Sequence, residues 1–201
     1  MLIHLRKLFC ASLIFFSHAS QASLNEYIYP NSHTPSYSNY GSVGIIQMPS
    51  ARLQPVGSLA FSFSDLDPYL RGSVIAYPFS WFEASYQYTD INNALYSNAR
   101  AFSGDQTFKD KSFDVKFKLL SEKKYTPAIA VGIRDVAGTG IFASEYVVAS
   151  KKFLNVDFTF GIGWGALSGN KISNPLSKIS PRFNKRTVAL DTQGGEFNTC
   201  L

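Results

Sequence analysis

The chain has 201 residues, of which 45% are hydrophobic and 16% are charged, and this balance excludes both a disordered chain and a helical membrane protein. Its formal net charge of +5 is too small to indicate nucleic-acid binding. Aromatic residues make up 15% of the chain, which suits the core of a soluble β-sandwich and equally the lipid-facing surface of an outer-membrane barrel.

The amino-terminal residues have the pattern of an export signal. Two basic residues, Arg6 and Lys7, precede a short apolar run, and small residues follow at the positions that a signal peptidase reads. The run is too short to cross a hydrocarbon core of about 30 Å as a helix. We therefore predict a signal peptide over residues 1–22, cleaved between Ala22 and Ser23, and an exported mature chain.

The mature sequence offers little for metal or covalent chemistry. Cys10 lies in the predicted signal peptide, in a context unlike a lipoprotein acylation site, so Cys200 is the only mature cysteine. His33 is the only mature histidine, which leaves neither a metal cluster nor a Ser-His-Asp arrangement. We predict no cofactor, no metal and no catalytic residue.

Residues 23–56 are predicted to be an extended amino-terminal segment, because prolines interrupt any regular element there. Positions 43–48 could form one short strand, which Pro49 would end because proline lacks an amide hydrogen. Arg52 follows in a loop. For this side chain, pairing with a carboxylate is favoured over binding a ligand.

From residue 57 onward, apolar and polar residues alternate with the period of a β-strand. The alternation predicts strands at 58–64, 71–77, 82–89, 111–120, 128–134, 145–151 and 156–164, and a further strand could begin at Thr187. No helix is predicted after the signal peptide. The fold predicted for 57–201 is all-β, an antiparallel up-and-down meander.

The predicted connections differ in length in a regular way. Longer connections at 65–70, 91–110, 135–142 and 165–186 alternate with tight ones at 78–80, 121–126 and 153–155. Because alternate connections of a meander lie at the same end, this asymmetry is typical of an outer-membrane barrel with short periplasmic turns. The polar strand faces would then line the lumen, with the candidates Glu83, Gln87, Asp114, Lys116, Lys118 and Asp157.

Four stretches carry a family resemblance. They are GSVGIIQMPSARL at 41–53, AFSGDQTFKDKSFD at 101–114, VGIRDVAGTGIFASEYVVASK at 131–151 and FTFGIGWG at 158–165. In order and spacing they resemble the YjbH family of Gram-negative exopolysaccharide-biosynthesis proteins. The resemblance implies an outer-membrane β-barrel protein encoded among polysaccharide production and export genes, with no known catalytic residues. Members of that family are considerably longer, so we expect an amino-terminal fragment whose barrel is incomplete.

Together the patterns and the resemblance predict a non-enzymatic protein of the outer membrane, and the resemblance alone implies that it is involved in exopolysaccharide production or export. Its expected partners are outer-membrane lipid and lipopolysaccharide, with polysaccharide and other export components as further candidates. A basic stretch could contact such anionic polymers, although a solvated loop is favoured: Lys171, Lys178, Arg182, Lys185 and Arg186.

Two alternatives from other classes remain open on sequence alone. A secreted carbohydrate-binding β-sandwich would use the same alternating strands. A polysaccharide-modifying enzyme would need an acid and a base or nucleophile at a fixed separation, for which Asp105, Asp110 and Asp114 are the candidates. Because Asp114 belongs to a strand and the other two fall in a predicted polar loop with lysines, solvated or paired carboxylates are favoured over a catalytic pair.

Overall fold

The structure is a computed structural model that describes residues 35–154, 156–168 and 173–183, without the side chain of Arg182. The predicted cleavage site at Ala22 and Ser23 and the strand predicted from Thr187 lie outside the described residues.

The described residues are mostly in strands, which the period-two alternation predicted. The strands are β1 Gly44–Ile45, β2 Met48–Pro49, β3 Leu59–Leu66, β4 Tyr69–Phe79, β5 Phe82–Leu95, β6 Thr107–Leu120, β7 Ala128–Arg134, β8 Ser144–Phe153 and β9 Val156–Gly165. One helical turn, α1 Arg100–Ser103, lies between β5 and β6, and two 3-10 turns follow β9 at Pro175–Lys178 and Pro181–Phe183. Among these residues no helix is long and apolar enough to cross a membrane, a finding that concerns helices only.

Strands β3 to β9 form one antiparallel sheet in which each strand pairs with its neighbours in the chain. This seven-stranded up-and-down meander forms a half-barrel. The predicted all-β meander is therefore confirmed. Strands β1 and β2 pair only with each other, as a small hairpin in the segment that precedes the sheet.

The connections divide the sheet into two ends. One end, here called the loop end, contains connections 67–68, 96–106 and 135–143. The other, here called the turn end, contains connections 80–81 and 121–127 and the turn between β8 and β9. The prediction of a long connection at 65–70 was wrong. Leu66 pairs directly with Tyr69 across the sheet, and Asp67 and Pro68 are residues that favour a tight turn.

The two faces of the sheet have opposite chemistry. One face, here called the inner face, carries most of the polar residues of the strands, yet it is buried: Arg71 and Lys116 are each 1% exposed. The opposite, outer face is largely apolar, yet Phe61 is 76% and Phe160 73% exposed.

Small residues on the inner face make room for larger neighbours. A Cβ on Gly132 would lie 2.2 Å from the Tyr146 ring, and one on Gly161 would lie 2.6 Å from Val148.

Candidate functional site

The inner face is buried because residues 35–54, here called the inner segment, pack against it. The segment contains the β1–β2 hairpin, whose 45–48 tip is exposed. Its small residues permit a close approach to the sheet. Gly41 has a φ of +78°, and a Cβ at this position would lie 2.5 Å from the Ser73 Cβ in β4. Only glycine tolerates both this conformation and this contact without strain.

At the centre of the inner face, a buried ion pair binds the inner segment. Glu83 in β5 and Lys116 in β6 are opposite each other in the strand ladder, and their Oε2 and Nζ atoms lie 2.9 Å apart. The pair holds both backbone groups of Val43, since its amide donates to Glu83 Oε2 at 3.4 Å and its carbonyl accepts from Lys116 Nζ at 3.3 Å. Each buried charge is thus paired and further hydrogen-bonded, as a stable buried pair requires.

A second contact joins the inner segment to β8. The amide of Ala51 donates a hydrogen bond to Ser150 Oγ at 2.9 Å, and Ser150 Oγ lies 2.8 Å from Thr159 Oγ1 in β9. Ala51 itself is fully buried against a small apolar cluster that includes Tyr146 and Val148. The segment is therefore bound by hydrogen bonds and apolar contacts together.

At the turn end, Arg52 joins the segment to connection 121–127 and to the start of β9. Its guanidinium donates to Asp157 at 2.8 and 2.7 Å and pairs with Glu122 Oε2 at 2.6 Å. Glu122 also accepts from Lys151 Nζ at 2.8 Å. Asp157 and Glu122 raise the pKa of Arg52, while Lys151 and Arg52 hold the pKa of Glu122 down at about 2. The predicted pairing of Arg52 with a carboxylate is confirmed.

At the loop end, two arginines contact aromatic rings of the inner segment and of connection 135–143. The Arg71 guanidinium carbon lies 4.6, 4.4 and 5.1 Å from the ring centroids of Tyr40, Tyr69 and Phe142. Arg134 lies 4.2 Å from the Tyr40 centroid, and its NH2 group donates to the carbonyl of Gln47 at 3.3 Å. Buried cations over aromatic faces are stabilised by the ring quadrupole.

Two aspartates of β6, Asp110 and Asp114, hold connection 135–143 close to that strand. The amide of Asp135 donates to Asp114 Oδ1 at 2.8 Å, and the hydroxyl of Thr139 donates to Asp110. Asp135 has a φ of +56° and is 1% exposed. Burial, together with the charges of Asp110 and Asp114, raises the pKa of Asp135 to about 7. The connection therefore folds inward, over the sheet.

The structure brings several of the candidate lumen residues together on the inner face. Glu83, Gln87, Asp114 and Lys116 are buried there, whereas Lys118 is half-buried and Asp157 is exposed at the start of β9. Lys178 is exposed in a 3-10 turn. The other members of the basic stretch lie outside the described residues or have no described side chain: Lys171, Arg182, Lys185 and Arg186.

The carboxylates considered for catalysis are divided between an exposed connection, which holds Asp105, and the buried inner face, which holds Asp110 and Asp114. Asp105 is exposed and lies 3.6 Å from Arg100 Nε, whereas Asp110 is fully buried and bound to Thr139. The prediction that Asp110 lies in a loop was wrong, because β6 begins at Thr107 and Asp110 continues its inward alternation. Within the part of the chain that the structure describes, no group of three His, Cys, Asp or Glu residues is arranged to hold a metal ion.

Sequence reasoning missed Tyr40, Arg71 and Phe142 as partners. The signal available for Arg71 was its position in the polar alternation of β4, two residues before Ser73. No comparable signal existed for Tyr40 and Phe142, since both lie in irregular segments whose docking depends on the whole fold.

Comparison with known proteins identifies related sequences. The model of the YjbH family, described as "Exopolysaccharide biosynthesis protein YbjH", matches residues 36–200. The chain is 46% identical over 157 residues to the protein named "Uncharacterized lipoprotein YjbH" of Escherichia coli (strain K12). That match covers 77% of this chain and 22% of the relative, so the chain spans about a fifth of the relative's length. No solved structure matches the chain.

Proposed function

We propose a function for this chain from the premise that it belongs to the YjbH family of exopolysaccharide biosynthesis proteins. It acts as part of a β-barrel of the outer membrane, in exopolysaccharide production or export, and its role is non-enzymatic. An envelope location is supported by the name of the relative, which calls that protein a lipoprotein. Export of this chain through a cleaved signal peptide belongs to the same proposal.

The observation that carries the proposal is the exposed apolar outer face. Apolar side chains project from it in successive strands and remain exposed, among them Leu59, Phe61, Phe63, Val74, Tyr88, Phe113, Val147, Phe158, Phe160 and Ile162. Soluble proteins rarely expose a continuous apolar surface of this extent. Lipid would cover it and remove the cost of its contact with water.

An aromatic cluster at the turn end supports a membrane boundary there. Trp81 stacks on Phe79 with ring centroids 5.3 Å apart and on Phe117 at 6.1 Å. Phe82 adds a contact to Phe117 at 5.0 Å. Outer-membrane barrels carry aromatic girdles of this kind where the strands leave the hydrocarbon. Lipid acyl chains and lipopolysaccharide are accordingly the proposed partners of the outer face.

Fractionation of cells tests the location. We expect the chain, expressed in a Gram-negative host with its amino-terminal signal and with the part that completes the barrel, to sediment with outer membranes and to remain there after a carbonate wash. Recovery in the soluble periplasmic fraction would contradict the proposal and favour the secreted carbohydrate-binding protein instead.

Cysteine labelling tests the orientation. Asp105 lies in connection 96–106 at the loop end and Lys123 in connection 121–127 at the turn end, and both are exposed. In the same completed barrel, carrying Cys10→Ser and Cys200→Ser, a thiol reagent that cannot cross the outer membrane should label Asp105→Cys on intact cells. It should label Lys123→Cys only after permeabilisation. Equal labelling of both on intact cells would contradict the orientation.

A further inference from the structure

We propose that the inner segment, residues 35–54, is a displaceable plug that leaves the inner face as a unit through the turn end. This inference goes beyond the proposed function, because it concerns a movement of the inner segment away from the folded sheet. If the chain acts in polymer export, the movement would expose a polar wall to the polymer. The existence of the movement itself is independent of the membrane location.

The composition of the wall beneath the segment supports displacement. The residues that the segment touches directly include Arg134, Glu83, Lys116, Ser73 and Ser150. A contact that served packing alone would be at least as stable with apolar residues of similar volume, because burying charges carries a desolvation penalty. A charged wall is stable in water once it is uncovered, whereas an apolar wall would not be.

The apolar contacts of the segment are divided into small clusters. Ala51 packs with Ala128, Ala130, Tyr146 and Val148, Tyr40 packs with Ile91 and Phe142, and Val43 packs with Ile75 and Tyr77. The first two clusters each hold one buried apolar residue of the segment, and the third adds the partly buried Tyr37 and Leu53 to Val43. The apolar contacts that release would break are therefore spread over separate clusters, and their cost scales with the area exposed.

The path of the chain supports exit at the turn end. Gln54 Nε2 donates to the carbonyl of Pro35 at 2.9 Å, so the two ends of the segment are held together. Arg52 places these ends beside Glu122 and Asp157, at the turn end. The hairpin thus enters and leaves at one end of the sheet, and it can withdraw without threading a strand.

The connection from the segment to β3 can act as a hinge. Residues 55–57 are exposed, and Gly57 has a φ of +82° with no atom within 4 Å of its ideal Cβ position. The backbone of this connection is tied to the sheet by the amide of Gly57, which donates to the carbonyl of Tyr77 at 2.8 Å. A few exposed residues are sufficient to absorb the dihedral changes of a hinge motion.

A disulfide lock tests the proposal. Ser73 is 5% exposed beneath Gly41, so Ser73→Cys should react with a small thiol reagent only when the segment lifts. The lock is a second pair, Ala51→Cys with Ser150→Cys, formed by oxidation before Ser73→Cys is labelled, in the chain that also carries Cys10→Ser and Cys200→Ser. We expect the lock to slow labelling about tenfold or more, and reduction to restore it. The same Ala51→Cys, Ser150→Cys chain kept reduced throughout is the unlocked control.

Each outcome decides the proposal. Equal labelling rates with and without the lock would show that access to Ser73→Cys does not require departure of the segment as a unit. If Ser73→Cys is labelled neither with nor without the lock, but is labelled completely after denaturation, the inner segment is a fixed part of the half-barrel. Either result overturns the plug. Because the assay needs only folded protein in detergent, neither result depends on whether fractionation places the chain in the outer membrane.

Hydrogen exchange provides a measurement without any substitution. The amides of Val43 and Ala51 contact wall side chains, whereas the amides of β5 and β6 pair within the ladder. A segment that opens as a unit should give Val43 and Ala51 one common exchange rate, about a hundredfold or more faster than the ladder amides. Exchange of these two amides at the slow rate of the ladder would overturn the proposal.

Discussion

The outer and inner faces of the seven-stranded sheet are built from the same strands but meet different surroundings. Along β5, Tyr88 projects from the outer face and is exposed, whereas its neighbours Gln87 and Thr89 are buried on the inner face. A soluble sheet would bury the aromatic face and expose the polar one. The inversion shows that alternation in a sequence separates two faces without indicating which of them is buried.

What covers each face explains the difference. The inner face is covered by the inner segment, whose backbone provides hydrogen-bond partners for Glu83, Lys116, Arg134 and Ser150. Such partners reduce the cost of burying polar and charged groups. Most of the aromatic outer face remains exposed, although Asn174 after β9 donates to the buried carboxylate of Glu145 at the loop end of this face. We therefore expect substitutions on the inner face to act through lost polar partners, and substitutions on the outer face to act through lipid.

The largest effect is expected at the buried ion pair. Lys116→Met would leave Glu83 as an uncompensated buried charge and remove the donor to the carbonyl of Val43. Breaking one member of a buried pair costs about 3–5 kcal/mol. Urea unfolding of the folded chain in detergent micelles, followed by tryptophan fluorescence, should show a loss of this size in the free energy of unfolding.

A double variant separates the lost charge from the lost volume. Lys116→Met combined with Glu83→Gln removes both charges, and it should recover much of the stability because no charge remains unpaired. If the double variant is as unstable as the sum of the two single variants, the pair is not coupled in the way that its 2.9 Å separation indicates.

A somewhat smaller effect is expected on the outer face. Phe113 lies midway along β6, is 51% exposed and contacts the Tyr86 ring with centroids 5.0 Å apart. Phe113→Lys should cost about 2–4 kcal/mol in a bilayer, as a charge does near the midplane of a barrel. Folding into vesicles measures this cost, with Phe113→Leu as the matched apolar control. Equal stability of the two variants in vesicles would argue against a lipid-facing surface.

The close approach of the inner segment gives a third and smaller effect. Gly41→Ala would place a Cβ 2.5 Å from the Ser73 Cβ, in addition to the strain of a left-handed backbone. Gly104→Ala is the control, because Gly104 also has a positive φ, of +60°, but no atom within 4 Å. Overpacking typically costs about 1–3 kcal/mol, so Gly41→Ala should be less stable than Gly104→Ala by that amount in the same unfolding assay. Equal losses would mean that the segment does not rest on β4.

The sequence was sufficient to predict the strands because each of them alternates locally. The positions of β5 to β9 follow from residues such as Phe113, Asp114 and Val115, whose pattern needs no knowledge of the rest of the chain. It also indicated that Glu83, Gln87, Asp114 and Lys116 share one face, which is where the structure places them.

The docking of the inner segment was not predictable in the same way. The contact of Val43 with Glu83 and Lys116 joins residues 40 and 73 positions apart in the sequence, and no local periodicity encodes such a pairing. The same holds for Tyr40 and Phe142, which meet at Arg71. Arg52 was predictable only as a residue in need of a carboxylate, without the identity of Glu122 or Asp157.

The smallest effect is expected at the turn end, where pH acts on Glu122. Its pKa is lowered to about 2 by Lys151 and Arg52, from an ordinary value of 4.5, so the folded state favours its charged form. The stabilisation is fully present above pH 4.5 and is lost as the pH falls towards about 2. Because the ion pairs of this residue are partly exposed, they contribute about 1 kcal/mol or less.

Glu122→Gln should therefore be slightly less stable than the unsubstituted chain at pH 7, and the difference should shrink as the pH approaches about 2. Asp105→Asn, which removes an exposed carboxylate far from the inner segment, is the control for general effects of charge. A difference between Glu122→Gln and the unsubstituted chain that stays constant from pH 7 down to about 2 would show that Arg52 and Lys151 do not hold the charged form of Glu122.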